Sequence, residues 1–389
     1  MPAFDSTTVS RRSVLAHVGT TALGAGLSAA CAPAAAPAAP AAPTSPGAPA
    51  SAPAWQKEWD DLVVAAKKEG QLVLINQQAT DGFRKAFDAF EKTFPGITIE
   101  SQGYASSSLV IPKIQQEQKA GIYSYDVIQH SIQSFLTNLK PTGAFAPLAP
   151  VIFRPDVLDA KVWADGFQSG YVDSDKLVYQ FGWQASKWWV NTDLVTEGEI
   201  KSIKDLLDPK WGKGKIGIVD VRSGSTFTIL LAVKLNLGEE TVKKLVVDQS
   251  PRFHRDERII TEQLLRGQIA VSNARVQTFI QDFRDQGLGK NVKSVDLPES
   301  SVALPGGGLW LMKNAPHPNA AKLFINWLLT KEGQNAWKPT GVGNSRRLDV
   351  TPFDPESVVE KGRKYLIVAR EDMLKPQDDM VKYLTDLLK

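Results

Sequence analysis

The sequence has one cysteine, four histidines and no long apolar run. Because Cys31 has no second cysteine to pair with, an intrachain disulfide is excluded. The histidines are far apart in the chain, and no metal-binding signature can be identified around them. Beyond the N-terminal segment no stretch approaches the roughly eighteen apolar residues that a transmembrane helix needs. We therefore expect no metal site and no membrane-spanning segment in the mature chain.

Motifs of the common enzyme classes are also missing: there is no H-E-x-x-H, no G-x-S-x-G and no P-loop. A G-x-G-x-x-G pattern occurs at residues 212–217, but dinucleotide binding needs a strand before the glycines and a helix after them. Here the glycines precede the apolar residues 216–219, so we interpret them as a turn into a strand. We expect no catalysis and no cofactor. An uncharacterised secreted hydrolase using Ser131 is the alternative of another class.

Neither sign of charge dominates the chain. There are 45 Lys and Arg against 42 Asp and Glu, a formal net charge of +3, and no long basic run occurs. This balance argues against a nucleic-acid partner.

The N-terminus resembles an export signal. Arg11 and Arg12 precede a modest apolar run at residues 14–27, which resembles a twin-arginine signal. The run ends in LSAAC at Cys31, which resembles a bacterial lipobox displaced by one residue. We predict that residues 1–31 are the signal and that Cys31 is lipidated, so that the protein is periplasmic or at the cell surface, held to the membrane by the lipid only. An incidental cysteine in a discarded peptide is the alternative.

Residues 32–54 contain almost only Ala, Pro, Ser, Gly and Thr, without charge. This composition cannot bury a core and favours extended conformations, so we interpret the segment as a tether. The body that follows has roughly 335 residues, which exceeds the size at which a single core usually stops growing. Two lobes are therefore expected.

Apolar periodicity alternates between helix and strand along the body. The first predicted elements are a helix at 55–66, a strand at 72–75, a helix at 83–94, a strand at 97–99 and, after another helix, a strand at 125–128. This βαβαβ order predicts a parallel sheet covered by helices. The predicted elements further along the chain are a strand at 215–219, helices at 227–235 and 257–266, and a strand at 269–271.

Extended runs at residues 177–182, 188–191 and 301–312 are candidate crossings between two α/β lobes. The predicted division is lobe 1 at 55–180, lobe 2 at 181–300, a return to lobe 1 at 301–349, and a C-terminal helical segment at 350–389 whose lobe is left open.

Five segments resemble, in order and spacing, those of ferric-iron-type periplasmic solute-binding proteins of ABC importers. They are residues 65–70 (AAKKEG), 125–127 (YDV), 189–193 (WVNTD), 206–215 (LLDPKWGKGK) and 315–334 (APHPNAAKLFINWLLTKEGQ). The resemblance implies an α/β, two-lobed periplasmic-binding-protein-like fold of type II, with a hinge and a ligand cleft between the lobes. It also implies a carrier that delivers a small molecule to an ABC permease. We expect this carrier to be a monomer.

The candidate site in lobe 2 follows the predicted strand at 215–219. Ligands in open α/β sheets bind beyond the carboxyl ends of strands, and a helix start offers unpaired N–H groups. The candidate residues are Arg222, Ser223, Gly224, Ser225 and Thr226, of which the arginine can bind a carboxylate or phosphate through two hydrogen bonds. The alternative is that Ser225 only caps the helix, and that Arg222 pairs with Asp220 or lies in solvent.

A counterpart in lobe 1 follows the strands predicted there. Its candidate residues are Gln77, Gln78, Thr80, Tyr104, Ser106, Ser107 and Ser131. Two facing helix starts would hold an anion from both sides. As an alternative, the two glutamines and Thr80 are only polar loop residues. The alternative for Tyr104 is that its ring packs on the core.

Iron is the ligand that the resemblance suggests, but the local sequence argues against it. The iron binders carry adjacent tyrosines where this chain has Ser272-Asn273-Ala274-Arg275, and trivalent iron needs anionic oxygen ligands. Arg275 adds positive charge there, although it could also lie on an exposed helix start. Trp188 could stack on a planar ligand or fill a core. We expect a small anionic organic or phosphorylated solute, with ferric iron as the alternative.

Overall fold

The computed structural model describes residues 53–77, 79–220, 224–274, 276, 279–303, 307–360, 363 and 365–389, without the side chains of 224, 225, 281 and 303. The predicted signal, Cys31 and the predicted tether up to residue 52 lie outside these residues.

The described chain alternates helices and strands along most of its length. The α-helices are α1 (Ala54–Glu69), α2 (Asp81–Thr93), α3 (Ser107–Lys119), α4 (Ile132–Asn138), α5 (Pro155–Leu158), α6 (Gly224–Leu237), α7 (Glu239–Lys243), α8 (Glu257–Leu265), α9 (Ile280–Arg284), α10 (Pro318–Leu328), α11 (Lys331–Trp337) and α12 (Leu374–Leu387). The strands are β1 (Gln71–Asn76), β2 (Thr98–Gly103), β3 (Val127–His130), β4 (Phe145–Ala146), β5 (Val178–Tyr179), β6 (Gly182–Ala185), β7 (Trp188–Asn191), β8 (Ile216–Val219), β9 (Arg252–His254), β10 (Val271–Ser272), β11 (Val292–Val295), β12 (Ser301–Ala303), β13 (Gly308–Met312), β14 (Asn344–Ser345) and β15 (Leu366–Ile367). None of the described helices is both long and apolar enough to cross a membrane.

These strands form three sheets. The first has the order β2-β1-β3-β13-β4, with β5 also paired to β13, and the second has the order β11-β7-β10-β8-β9. The third sheet has the order β14-β6-β12-β15. In the chain, β6 lies between β5 of the first sheet and β7 of the second, and β12 lies between β11 of the second and β13 of the first. We call the first sheet with its helices lobe 1, the second with its helices lobe 2, and the third the crossing sheet. In lobe 1, β1 runs parallel to both β2 and β3, as the predicted βαβαβ order requires.

The core of lobe 1 forms because α2 and α10 present aromatic faces to each other. Phe83, Phe87 and Phe90 repeat at helical spacing on α2 and are fully buried. The Phe90 ring lies 5.3 Å from that of Phe324 and 5.2 Å from that of Trp327, both in edge-to-face contact. Such contacts stabilise beyond the apolar area they bury.

Polar caps then fix α10 against the sheet. The Glu69 carboxylate, at the end of α1, accepts from the backbone N–H groups of Asn319 at 3.1 Å and Ala320 at 2.7 Å. The fully buried Asp126 accepts from the N–H groups of Val73 at 2.7 Å and His317 at 2.6 Å. Two of the segments that carry the family resemblance, 65–70 and 125–127, therefore contain the residues that cap α10 in a third such segment, 315–334.

The core of lobe 2 includes the C-terminal helix. Ile216 and Ile218 of β8 and Leu230 of α6 are fully buried, and Met380 and Leu384 of α12 belong to the same apolar cluster. Because α12 follows β15 of the crossing sheet, the chain enters lobe 2 once more before it ends.

The predicted crossings are only partly correct. Residues 301–312 contain β12 of the crossing sheet, whereas residues 177–182 contain β5 of the lobe 1 sheet and only the first residue of β6. Residues 188–191 are not a crossing, because they form β7 between β11 and β10 inside lobe 2. An extended apolar run looks the same in sequence whether it changes lobe or fills a sheet.

Candidate functional site

Lobe 1 presents one edge of its sheet where three strands end. β1, β2 and β3 are parallel neighbours, so their carboxyl ends at Asn76, Gly103 and His130 lie at the same edge. The sequence candidates that follow these ends are Gln77, Thr80, Tyr104, Ser106, Ser107 and Ser131. Gln78 lies outside the described residues. The structure thus brings the described lobe 1 candidates to one edge.

Two of these serines cap helices. Ser106 Oγ accepts from the N–H of Ser108 at 3.2 Å at the start of α3, and it lies 2.7 Å from Ser108 Oγ. Ser131 Oγ accepts from the N–H of Ser134 at 3.3 Å at the start of α4. A hydroxyl that accepts in a cap keeps a proton to donate, so capping and a ligand contact are compatible at Ser131.

Tyr104 lies half-buried against an apolar cluster of lobe 1. Its hydroxyl donates to Gln102 Oε1 at 3.1 Å. The ring therefore covers core surface, as the alternative for this residue proposes, while its backbone lies at the strand ends.

His130, which the sequence analysis did not select, fixes this edge. Its side chain is almost fully buried, and its Nδ1 accepts from the N–H of Ser131 at 2.8 Å. The neutral ring then carries its proton on Nε2, which donates to the Tyr104 carbonyl at 2.8 Å. Burial lowers the pKa of His130 below its ordinary value, because the charged form would lose its hydration. The imidazole thus holds the loops after β2 and β3 together in its neutral form.

Lobe 2 presents a matching edge where β8 and β10 end. These strands are parallel neighbours, so Val219 and Ser272 finish at the same side. α6 begins at Gly224, within the segment 222–226 that was predicted to bind the ligand. Arg222, Ser223 and Arg275 lie outside the described residues, as does the side chain of Ser225. Asp220 accepts from Arg255 Nε at 3.1 Å.

Thr226 was expected to donate a hydrogen bond to a ligand, but in the structure its hydroxyl is used within the fold. Its side chain is fully buried, and its hydroxyl donates to the Val219 carbonyl at 2.9 Å. The single hydroxyl proton is therefore used within the fold, where it fixes the first turn of α6 to the end of β8. We leave Thr226 out of the proposed site for this reason.

Trp188 also differs from its expected place in the cleft. Its indole is 2% exposed and belongs to the apolar core of lobe 2. The adjacent Trp189 faces the other side of the sheet and fills a second buried cluster. Both rings are thus packed within lobe 2, so the core alternative for Trp188 agrees with the structure and the stacking one does not.

Asn273 is the second residue at these edges that the sequence analysis did not select as a ligand contact. It follows β10 and is 3% exposed. Its Oδ1 accepts from the N–H of Val219 at 3.0 Å, so the amide lies beside the end of β8. Its Nδ2 has no hydrogen-bond partner among the described residues. A polar residue directly after an apolar strand was the available sequence signal.

Tyrosines are scarce at the two edges. All seven lie within the described ranges, and Tyr104 is the one that directly follows a strand at either of these two edges. Tyr171 and Tyr179 belong to the core of lobe 1, and burial raises the pKa of Tyr171 to about 12, which disfavours a phenolate there. No group of three or more His, Cys, Asp or Glu within the described residues could hold a metal ion.

A family model described as a bacterial extracellular solute-binding protein matches residues 85–347. Iron-bound HitA from Pseudomonas aeruginosa has a TM-score of 0.59 and 17% identity, over 82% of this chain and 99% of HitA. The Trichodesmium protein IdiA (FutA), solved with iron and citrate ligands, has a TM-score of 0.62 and 16% identity, over 82% of this chain and 99% of its own.

An uncharacterised protein of Haemophilus influenzae (strain Rd) is 28% identical over 186 residues, which cover 43% of this chain and 51% of that protein. The chain therefore spans about half the length of this curated relative. The likeness to the solved structures, at 16–17% identity, shows the fold alone. That fold is the two-lobed α/β fold of periplasmic binding proteins, as expected from the sequence.

Proposed function

The chain belongs to the bacterial extracellular solute-binding protein family, and on that premise we propose that it captures a small anionic organic or phosphorylated solute between its lobes for an ABC permease. As a family member it is a periplasmic solute-binding protein of ABC import and not an enzyme. The nature of the solute is the part that we propose.

The observation that carries the proposal is the buried amide of Asn273. Its Nδ2 is a hydrogen-bond donor without a partner among the described residues, and a buried donor left unpaired costs about 1–3 kcal/mol. An oxyanion at the end of β8 would accept this hydrogen bond. A ferric ion would not, because a metal cation needs lone pairs and not N–H groups.

The opposite edge supports the same class of ligand. The start of α3, with Ser106 and Ser107, offers N–H groups and roughly half a positive charge. Gln77 and Ser131 lie at the ends of the neighbouring strands, and we keep Gln78, Thr80 and Tyr104 as proposed contacts from that edge. In lobe 2 we keep Arg222, Ser223, Gly224, Ser225 and Arg275 as proposed contacts. Two arginines in one lobe would favour a carboxylate or a phosphate.

Ferric iron is the second candidate. HitA and IdiA (FutA), two relatives in fold, were solved with iron. An iron site in this chain would have to be built without a tyrosine pair, since Tyr104 is the one tyrosine among the described residues that directly follow β1, β2, β3, β8 and β10.

Titration of the ligand-free protein with ferric citrate, and in parallel with citrate alone, separates the two candidates. We expect ferric citrate to raise the melting temperature no more than citrate does, because Asn273 offers a donor to an anion and the strand ends lack the tyrosine pair of the iron binders. Asn273→Asp is the matched variant, since it replaces the amide donor by a carboxylate of the same shape and should weaken anion binding. Stoichiometric iron that survives mild chelation would reverse the ranking.

We further propose export by the twin-arginine route, a lipid on Cys31 and a monomer that reaches its permease on the tether at 32–54. The wild type should then partition into detergent and carry diacylglycerol, whereas Cys31→Ala should remain in the aqueous phase. A soluble mature wild type with an unmodified N-terminus beyond Ala32 would contradict the anchor.

A further inference from the structure

Lys187 is half-buried, and no described residue pairs with its side chain. Within the part of the chain that the structure describes, its Nζ makes no ion pair and no hydrogen bond. Lys140, which is also half-buried, contacts the carboxylates of Asp173, Asp175 and Glu371. The Nζ of Lys187 is not among the buried unpaired side-chain atoms, so its ammonium group keeps contact with solvent. It is therefore accessible to a ligand that binds from outside the fold.

The sheet register places Lys187 at the ligand edge of lobe 2. β7 is antiparallel to β10, with Trp189 paired to Ser272. The start of β7 therefore lies where β8 and β10 end, and Lys187 precedes that start by one residue. Next to it, the N–H of Ser186 donates to the Ser301 carbonyl at 2.9 Å, which joins this point to the crossing sheet.

Three buried polar groups without described partners lie along the same stretch. Asn273 follows β10, and Ser300 and Ser301 lie at the start of β12, opposite the chain that leads into Lys187. Asn273 Nδ2, Ser300 Oγ and Ser301 Oγ are all buried, and none has a hydrogen-bond partner among the described residues. Buried polar groups are nearly always paired in native proteins. An occupant with several acceptor oxygens would pair these three donors.

The acids that the sheet register brings near Lys187 have other partners. Asp296, which continues β11 beyond Val295 and its pairing with Trp188, contacts Arg363 at 2.6 Å through Oδ2, while its buried Oδ1 has no hydrogen-bond partner among the described residues. Glu299 accepts from Ser202 Oγ at 2.7 Å and from the N–H of Ile203 at 3.1 Å. Neither carboxylate forms an ion pair with Lys187.

We propose that Lys187 is a specificity-determining residue of the solute site, whose ammonium group binds an oxyanion of the solute at the hinge end of the cleft. The amide of Asn273 and the hydroxyls of Ser300 and Ser301 donate to the same oxyanion. This inference rests on the proposed function and adds to it the end of the cleft at which the negative group binds. A carboxylate and a phosphate share this chemistry, since lysine acts as a compact point charge toward both.

The test compares Lys187→Met with Lys187→Arg and with Lys293→Met. Lys293 is an exposed residue of β11 in the same sheet, so its substitution removes the same charge away from the strand ends. Thermal unfolding is measured at low ionic strength with inorganic phosphate, with succinate, and with sodium chloride at matched ionic strength. We expect phosphate or succinate to stabilise the wild type more than chloride does. Stabilisation by phosphate would indicate a phosphate site, and stabilisation by succinate would indicate a carboxylate site.

Lys187→Met should reduce the affinity derived from these shifts by roughly ten- to hundredfold, the loss of one charge-assisted hydrogen bond. Lys187→Arg should retain most of it, and Lys293→Met should match the wild type. Without added anion, Lys187→Met should melt close to the wild type, because no described residue pairs with this charge.

Two results would overturn the inference. A lower melting temperature of ligand-free Lys187→Met would show that the lysine pairs within the fold, for example with Asp296. Unchanged anion affinity in that variant would show that the lysine does not contact the solute, while the proposed function would stand. If neither anion stabilises the wild type beyond chloride, the anionic solute fails, and the role of Lys187 fails with it.

Discussion

At the residue scale, His130 and Asn273 act in the same way in the two lobes. Each is almost fully buried, and each joins the ends of neighbouring chain segments through its side chain. His130 connects the Tyr104 carbonyl with the N–H of Ser131, and Asn273 holds the N–H of Val219. These contacts fix the backbone from which ligand contacts would extend, so a small change at either residue should move an entire loop.

His130 gives a prediction about pH. Because burial lowers the pKa of His130 from its ordinary value of 6.5, the unfolded chain binds a proton more readily than the folded one. Stability should therefore decrease as the pH falls through about 6.5, by up to about 1.4 kcal/mol per pH unit. His130→Gln cannot titrate but can still donate to the Tyr104 carbonyl.

Urea unfolding of both proteins at several pH values between about 5.5 and 7.5 measures this contribution. The free energy of unfolding of the wild type should fall more steeply toward acid than that of His130→Gln. Parallel pH profiles would show that His130 contributes no such proton uptake.

Some site residues could be predicted from the sequence, and others could not. Ser106 and Ser131 could be placed at strand ends because a polar residue after an apolar run is visible in the sequence. Thr226 has the same sequence signal, yet its hydroxyl is bonded to Val219. Whether a hydroxyl is free for a ligand depends on the distance to a neighbouring carbonyl, and that distance is set by tertiary packing. Lys187 could not be predicted as a site residue from the sequence, since its lack of an ion-pair partner among the described residues depends on where the acidic residues lie in the folded chain.

At the scale of elements, the helices and strands of lobe 1 could be predicted because their periodicity is strong. The phenylalanines of α2 repeat at helical spacing, and α10 begins at Pro318, which is favoured in a first turn. The caps of α10 could not be predicted. Glu69 and Asn319 are 250 residues apart in the chain, and only the packing of α1 on α10 brings them together.

The error at β7 has the same origin. Residues 188–191 were predicted as extended, and they are extended. Their place between β11 and β10 depends on long-range pairing that a local pattern does not contain. The helical stripe of α12 was likewise compatible with either lobe, and its contacts with the core of lobe 2 depend on where β15 leaves it.

At the scale of the whole molecule, the two-lobed fold and membership of the solute-binding family agree with the sequence reading. The crossing sheet matters for function because β6 and β12 connect the lobes next to Lys187 and Ser301. A solute that binds both strand edges and this region has more contacts when the lobes are closed, and it therefore favours the closed state. The charge of the solute is the central proposal, because HitA and IdiA (FutA) were solved with iron, whereas the unpaired amide donor of Asn273 is proposed to bind an anion.

The charge of the solute can be determined by native mass spectrometry of the protein purified from its own host, without added ligand. We expect one bound small molecule per chain that is released on denaturation as an organic acid or a phosphorylated compound. We expect no stoichiometric iron in the same sample. One iron per chain without an organic anion would show that the solute is not the proposed anion.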